Sequence, residues 1–292
     1  MRWVDEMIEN HYIQSLGTVP SDLKEDIYKL VKEAAYSETI KSKSFIIAAN
    51  WKMNKNTKEV IEFLDFLNKA ALDEKNTFVL FPPYPYLYLM RDKLRYSKVL
   101  YGVQNMFWEN SGAFTGEVSP AMAKDFGCKY AIIGHSERRN IFKETDEMLE
   151  KKVEACIKNG LKPILCIGEN LEERQSKRYE EKLKNQLVNG LAKLNPESLD
   201  NVIIAYEPVW AIGTGMNATP AQVEDTHGYI RYILNSLYGA DTSEKIPILY
   251  GGSAKASNVI ELAIAQNVSG FLIGGASLCI KEFKEIMTKL GK

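Results

Sequence analysis

The chain alternates between short apolar segments and longer stretches in which hydrophobic residues recur with helical spacing. The apolar segments are continuous rather than alternating, which is typical of strands that are buried on both faces of a parallel sheet. We therefore predict eight strands, at Phe45–Asn50, Thr77–Phe81, Val99–Gln104, Tyr130–Gly134, Lys162–Ile167, Asn201–Tyr206, Ile246–Tyr250 and Gly270–Ile273.

The stretches between these strands are predicted to be helices. After the first strand, Asn56 or Thr57 is the expected N-cap, and Glu59 can complete a capping box from Asn56. Strand-then-helix units that fill residues 44–292 favour an eight-stranded parallel α/β barrel. A doubly wound open sheet has the same local signals, so the motifs must distinguish the two. Two further predicted helices are Lys151–Lys158 and Tyr179–Leu194.

Residues 1–43 precede the first barrel strand and form a predicted extension. Hydrophobic residues in 7–13 and 23–35 are spaced for two short amphipathic helices, separated by Gly17–Pro20 and with Ser21 as a cap. Acidic residues throughout the extension argue against an organellar transit peptide. Two roles remain open: a helical appendage that packs on the barrel or on a neighbouring subunit, and a segment that binds a separate partner.

Composition narrows the class of protein. Hydrophobic residues make up 45% of the chain and charged residues 26%, which excludes disorder, and the net charge of −1 does not favour nucleic-acid binding. We find no apolar run long enough to cross a membrane and no secretory signal pattern. The four cysteines are Cys128, Cys156, Cys166 and Cys279. We expect them to be buried thiols rather than disulfides or a zinc site, which is typical of a reducing compartment. We therefore expect a soluble cytoplasmic protein.

Three residues with catalytic chemistry follow predicted strands. Lys52, His135 and Glu207 come after the first, fourth and sixth strands, and a barrel would bring them to one rim. Glu207 ends an apolar strand, where a carboxylate can act as a general base or be anchored to a basic residue. His135 is either catalytic or structural, whereas His11 and His227 are expected in exposed helical positions.

Glycines follow the last two strands, and a glycine-bracketed loop follows the sixth. Gly251–Ser253 and Gly274–Ser277 are expected to bind phosphate through backbone N–H groups, or to be plain turns. Pro208–Gly215 is expected to be a lid that closes over the site and excludes water, or a static loop.

Asn105–Ser119 is long for a loop between a strand and a helix. Its aromatic residues Phe107, Trp108 and Phe114 would leave an apolar surface on a monomer, which predicts an oligomer. Packing of the loop on itself is the alternative.

The motifs resemble those of the triosephosphate isomerases over residues 44–292. The resemblance implies a (β/α)8 TIM barrel and a homodimeric isomerase that interconverts dihydroxyacetone phosphate and D-glyceraldehyde 3-phosphate through an enediolate, in glycolysis and gluconeogenesis. No cofactor, metal, nucleic acid or membrane is implied. The matching strings are Asn50–Asn54 (NWKMN), Gln104–Asn105 (QN), Gly112–Glu117 (GAFTGE), Gly134–Arg139 (GHSERR), Cys166–Glu169 (CIGE), Ala205–Gly215 (AYEPVWAIGTG), Tyr250–Ser253 (YGGS) and Gly274–Leu278 (GGASL).

The resemblance also implies a role for each matching residue. Glu207 is the implied base, His135 the electrophile, and Lys52 with Asn50 the stabiliser of developing charge. Glu137 is the implied acid near Lys52, and Ser136 is implied to hold Glu207 before the lid closes. The implied phosphate-binding positions are Gly213, Ser253, Gly274 and Gly275. Trp210 and Tyr250 are assigned to the lid, and Thr115 to the dimer loop.

The chain departs from the family pattern in its extension and at Met216, Asn217 and Ala254. None of these departures removes an implied catalytic group. Two alternatives remain open: an isomerase of a four-carbon erythrulose phosphate, and a barrel that mainly binds a partner through residues 1–43.

Overall fold

The structure, a computed structural model, describes residues 21–212 and 216–291. The predicted helix within residues 7–13, His11 and Gly213 therefore lie outside the described residues. The elements run in the order α1 (Ser21–Ser42), β1 (Ile46–Asn50), α2 (Thr57–Lys69), β2 (Thr77–Phe81), α3 (Leu87–Lys93), β3 (Leu100–Val103), α4 (Pro120–Asp125), β4 (Tyr130–Ile133), α5 (Ser136–Asn140), α6 (Asp146–Lys158), β5 (Lys162–Ile167), α7 (Leu171–Gln175), α8 (Tyr179–Leu191), α9 (Pro196–Leu199), β6 (Ile203–Tyr206), α10 (Pro220–Tyr238), α11 (Ala240–Lys245), β7 (Ile248–Tyr250), α12 (Val259–Ala263), β8 (Gly270–Ile273) and α13 (Ile280–Leu290).

The eight strands pair in sequence order and close into a barrel. Every strand is parallel to its neighbours, and closure is made by β1 and β8, where Ile46 pairs with Gly270 and Ala49 with Ile273. The predicted fold class is confirmed, and the open doubly wound sheet is excluded by this last pairing.

Strand residues alternate between two buried layers. Side chains such as Ala48, Ile132 and Leu249 fill the barrel interior. Their neighbours, such as Ile47 and Ile133, belong to the core between the barrel and the surrounding helices. Because both faces of each strand are buried, the strands read as continuous apolar runs in the sequence.

The start of α2 follows the predicted capping chemistry. The Asn56 side chain accepts a hydrogen bond from the Glu59 N–H at 3.0 Å, and the Glu59 carboxylate accepts one from the Asn56 N–H at 2.8 Å. Both bonds satisfy backbone N–H groups that the helix itself leaves unpaired. Asn56 is therefore the cap, and the capping box is confirmed.

Helix α1 packs its carboxyl-terminal part against the barrel. Tyr36 and Ile40 are buried in the outer core, while Leu30 on the opposite side is 65% exposed. After the helix, the Lys43 ammonium donates to the carbonyls of Ala263 and Ala265 at the end of α12. These contacts attach the extension to the end of the barrel at which the strands begin.

His227 is buried, contrary to the expectation of an exposed position. Its ring lies on the inner face of α10, edge-on to Tyr206 at a centroid distance of 5.7 Å. Nδ1 lies 3.1 Å from the Asn267 carbonyl oxygen, to which a neutral ring donates. The helical spacing located the helix correctly, but the tertiary packing buries the face that carries this residue.

Acid is expected to destabilise the fold through His227. Burial lowers the pKa of this imidazole from 6.5 to about 4. Between these values the unfolded chain binds a proton and the native ring does not, so the free energy of unfolding should fall with decreasing pH, by about 3 kcal/mol in all. The contribution of the neutral His227 ring to the free energy of unfolding is fully present above pH 6.5, and it is lost as the pH falls towards 4.

Urea unfolding at several pH values between 7 and 4 measures this effect. His227→Gln should reduce the pH dependence of the free energy of unfolding relative to the unmodified chain, because it removes the imidazole. The carboxylates titrate equally in both proteins. Parallel stability profiles for the two proteins would contradict the prediction.

Candidate active site

The ends of the strands surround one cavity of about 700 Å³, here called the rim cavity. It brings together groups that follow five of the eight strands, β1, β4, β6, β7 and β8, and that are far apart in sequence. Of the residues named from the sequence, its lining contains Asn50, Lys52, His135, Glu137, Glu207, Ser253, Gly274 and Gly275.

Glu207 directly follows β6 and is almost completely buried, with 2% of its surface exposed. Its Oε1 lies 3.0 Å from His135 Nε2, and its Oε2 accepts a hydrogen bond from the Ser136 backbone N–H at 2.8 Å. A buried carboxylate held in this way has a defined position, which proton transfer to or from a substrate requires. Ser136 makes this contact through its backbone.

His135 lies at the junction between β4 and α5, where it is the N-cap residue of the helix. Its Nδ1 accepts a hydrogen bond from the Glu137 N–H at 3.2 Å, so Nδ1 carries no proton. A neutral ring then has its hydrogen on Nε2, which points to Glu207. The helix start thus orients the ring and selects the tautomer that offers an N–H to the rim cavity.

Lys52 has a backbone conformation that is uncommon for lysine, with φ of 51°. Its N–H donates to Asn50 Oδ1 at 3.0 Å, and its carbonyl accepts from Gln104 Nε2 at 2.9 Å. Its ammonium contacts Glu137 Oε1 at 2.7 Å. Such strain persists only where the surroundings enforce it, which indicates a constrained position at this site.

Gln104 is a residue whose role we did not predict. It ends the third predicted strand and lies in the matching strings, but its type alone does not reveal that it holds the Lys52 backbone. It also donates to the Phe81 carbonyl at 2.9 Å, so it links the ends of β1, β2 and β3. The spacing of residues along the chain does not predict these two hydrogen bonds.

The glycine turns that follow β7 and β8 form another part of the lining of the rim cavity. Gly274 leads into a short 3-10 helix at Gly275–Leu278, and Ser277 stabilises the turn by donating from its hydroxyl to the Gly274 carbonyl at 2.7 Å. The position where a Gly275 side chain would extend is open space. Backbone N–H groups can therefore approach an anion here without side-chain obstruction.

Trp210 and Tyr250 lie beside the rim cavity rather than in its lining. Trp210 belongs to a short 3-10 helix after Glu207, and its indole N–H donates to Glu169 Oε1 at 2.8 Å. Tyr206 donates to the same oxygen at 3.0 Å. Burial raises the pKa of Glu169, and burial likewise raises the pKa of Tyr250 to about 12. These contacts hold the first part of the proposed lid.

Thr115 lies in the long loop, away from the rim cavity, and is exposed. The Phe107 ring contacts those of Trp108 and Phe114 at centroid distances of 3.9 and 4.5 Å. Phe114 is nevertheless 42% exposed. The loop therefore packs partly on itself and still presents an aromatic surface.

The cysteines correct one expectation. Cys128, Cys156 and Cys166 are buried free thiols, as expected, but Cys279 is exposed and lines the rim cavity. Cys279 lies between the Gly275–Leu278 turn and α13, where the chain remains at the surface. The apolar residues next to Cys279 in the sequence predicted a buried thiol, so they did not indicate its exposure.

A family model described as triosephosphate isomerase matches residues 45–290. The chain belongs to the triosephosphate isomerase family. Among curated relatives named triosephosphate isomerase, that of Dictyoglomus thermophilum is 44% identical over 243 residues, that of Alkaliphilus oremlandii 44% over 242, and that of Caldanaerobacter subterraneus subsp. tengcongensis 43% over 242. Each match covers 83% of this chain and 98% of the relative.

The triosephosphate isomerase match begins at residue 45, one residue before β1. Helix α1 therefore lies outside the region shared with the family. Within the described ranges, 21–212 and 216–291, no helix is both long and apolar enough to cross a membrane.

Proposed function

We propose that this chain interconverts dihydroxyacetone phosphate and D-glyceraldehyde 3-phosphate by proton transfer through an enediolate. The observation that carries the proposal is the contact of the Glu207 carboxylate with the His135 Nε2–H at 3.0 Å, in a cavity that also contains Lys52 and the glycine turns. Membership of the triosephosphate isomerase family supports the same reaction.

In the proposed mechanism, Glu207 removes the proton from the carbon next to the carbonyl group. The substrate displaces the Glu207–His135 contact, so that His135 Nε2–H can donate to the carbonyl oxygen. Lys52, held by Asn50 and Glu137, stabilises the negative charge that develops on oxygen. Glu207 then returns the proton to the neighbouring carbon. His135 transfers a proton from the hydroxyl oxygen of the substrate to its former carbonyl oxygen, so that the carbonyl and hydroxyl groups exchange places.

The phosphate of the substrate is proposed to bind the N–H groups of Gly274 and Gly275, together with Ser253 and Gly213. The open space at Gly275 supports this assignment. The lid that begins at Pro208 is proposed to close over the site, with Trp210 and Tyr250 supporting it. Exclusion of water would protect the enediolate from loss of phosphate.

We also propose a division into an extension, residues 1–43, and a catalytic barrel, residues 44–292. The end of α1 at Ser42 and the start of the family match at residue 45 support this boundary. The packing of Tyr36 and Ile40 favours an appendage of the barrel over a partner-binding segment. We further propose a cytoplasmic location, which the free buried thiols of Cys128, Cys156 and Cys166 support.

A steady-state assay with glyceraldehyde 3-phosphate, on the full chain and on residues 44–292, tests the proposed reaction. The full chain should isomerise the three-carbon substrate, and a strong preference for erythrulose phosphate would instead support the four-carbon alternative. Unchanged kinetics of the shorter protein together with loss of a bound partner would favour the binding role of the extension.

A homodimer is the proposed assembly, with Thr115 in the loop that contacts the partner. The exposed aromatic surface around Phe114 supports it, because burial of such a surface is favourable. Light scattering should give twice the chain mass of 33.1 kDa. A fully active monomer would contradict this prediction.

A further inference from the structure

Arg139 joins the ends of β4 and β5 beyond their last paired residues. The pairing of these two strands ends where Ile133 lies opposite Leu165. Past this point, Arg139 Nε donates to the Gly134 carbonyl at 2.9 Å, and Nη2 donates to the Cys166 carbonyl at 3.1 Å. One guanidinium thus continues the connection that the backbone hydrogen bonds make between the strands.

The guanidinium of Arg139 is itself held by a helix. Its Nη1 donates to Asp146 Oδ1 at 2.6 Å, and Asp146 is the first residue of α6. The Arg139 side chain is only 14% exposed. Because the group is planar and each of its three nitrogens has a partner, its position relative to both strand ends is fixed.

The first of the two carbonyls belongs to the residue that directly precedes His135. Gly134 has a φ of 72°, in the left-handed region that favours glycine. A side chain on Gly134 would also lie against the guanidinium, since its Cβ would be 3.1 Å from Arg139 Nη2. The turn that presents His135 to the rim cavity is therefore built against Arg139.

The second carbonyl belongs to the segment that holds the Glu207 backbone. Cys166 directly precedes Ile167, whose carbonyl accepts a hydrogen bond from the Glu207 N–H at 2.8 Å. The next residue, Gly168, also packs on Glu207, because a Cβ on Gly168 would lie 1.8 Å from the Glu207 carbonyl oxygen. The end of β5 thus lies between Arg139 and the backbone of Glu207.

We propose that Arg139 is a positioning residue for the isomerisation, which fixes the separation of His135 and Glu207. This inference rests on the roles proposed above for these two residues. Within the described chain, the lining of the rim cavity does not include Arg139, so it acts through the backbone. Misplacement of a catalytic group by about 1 Å can lower a rate by about 100-fold, so loss of this connection should affect turnover.

Two substitutions of Arg139 test the inference in a steady-state assay with glyceraldehyde 3-phosphate. Arg139→Ala should lower kcat by about 100-fold and leave KM within about threefold, because the proposed phosphate-binding turns follow other strands. Arg139→Lys keeps the charge, but an ammonium cannot reproduce the planar set of donors. Its kcat should fall by about tenfold.

Arg231→Ala is the matched control for the alanine substitution. Arg231 is also a partly buried arginine that donates to a backbone carbonyl, that of Ser243, and to the Asn267 side chain. These contacts precede β7 and β8, at the end of the barrel opposite to the rim cavity. Its replacement should leave kcat unchanged, even if it lowers the free energy of unfolding.

Added guanidinium distinguishes a positioning role from a general loss of stability. A second cavity, of about 260 Å³, is lined by Arg139 and reaches the surface at Asn140 and Asn170. Without the arginine, the carboxylates of this cavity should attract a small cation: Glu144, Asp146, Glu173 and Glu207. Guanidinium chloride, far below concentrations that unfold the protein, should raise kcat of Arg139→Ala about tenfold. Sodium chloride at equal ionic strength should not, and neither salt should raise kcat of Arg231→Ala.

NMR of the His135 ring provides a readout that does not depend on activity. The Nε2–H that faces Glu207 should have its resonance displaced in Arg139→Ala. The ring of His227, which contacts the Asn267 carbonyl, is the internal reference and should be unchanged.

The inference would be overturned by a folded Arg139→Ala that keeps kcat within about threefold, or whose His135 resonance is not displaced. A loss of kcat that guanidinium does not reverse would also overturn it. If Arg139→Ala does not fold, an unchanged kcat in Arg139→Lys would have the same consequence. Failure of the unmodified chain to isomerise the substrate would count against the proposed function instead, and the NMR comparison would still test the positioning of His135.

Discussion

Glu207→Asp is expected to lower kcat by about 100-fold or more and to leave KM within about an order of magnitude. The shorter side chain withdraws the carboxylate from the position set by His135 Nε2 and the Ser136 N–H. The residues proposed to bind phosphate remain unchanged, so ground-state binding should change less than turnover. Initial rates with glyceraldehyde 3-phosphate over a range of concentrations separate kcat from KM.

Two controls accompany this measurement. Glu207→Gln keeps the length of the side chain but removes its ability to accept a proton, so it should lose at least as much activity as the aspartate variant. Glu154→Asp makes the same change on α6, at an ion pair with Lys158, and should leave kcat unchanged. Near-normal turnover of Glu207→Asp would remove Glu207 from the proposed mechanism.

Lys52→Ala is expected to lower kcat/KM by about 100- to 1000-fold, because it removes the cation that faces the developing negative charge. Its effect on the free energy of unfolding should stay within about 1 kcal/mol, since partly exposed ion pairs contribute little. The Lys52–Glu137 pair is of this kind, with 28% and 42% of the side chains exposed. Isomerase assays and urea unfolding of the same preparation measure both effects.

Lys55→Ala is the matched control for this prediction. Lys55 lies in the same loop and also has a positive φ, of 73°, but its ammonium donates to the Leu278 carbonyl instead of lining the rim cavity. Its replacement should retain most of the activity. Equal losses of activity in both variants would show that the activity depends on the conformation of this loop rather than on the charge of Lys52.

Much of the fold could be predicted from local patterns. The predicted limits of β2, β5 and β8 agree with the structure, and the other strands differ by at most two residues at either end. The differences occur where apolar residues such as Val99 and Ile246 continue into the adjoining turns. Hydrophobicity indicates burial, but it does not indicate where the strand pairing stops.

The candidate site could be located because its groups follow strands directly. Lys52, His135 and Glu207 line the rim cavity as expected, since parallel strands in a barrel all end at one rim. The supporting contacts could not be predicted in the same way. Gln104 and Glu169 act through hydrogen bonds to residues more than twenty positions away. Helical spacing placed His227 on a helix without identifying its buried face.

By itself, the sequence determined the order of strands and helices, the start of α2 at Asn56 or Thr57 and the strand ends that carry chemical groups, because these depend on neighbouring residues. Only the tertiary structure decided the strained Lys52 backbone, the exposure of Cys279 and the contact of the Glu207 carboxylate with His135. These features depend on which distant segments pack together. Such packing follows from the closure of the whole barrel rather than from any local pattern.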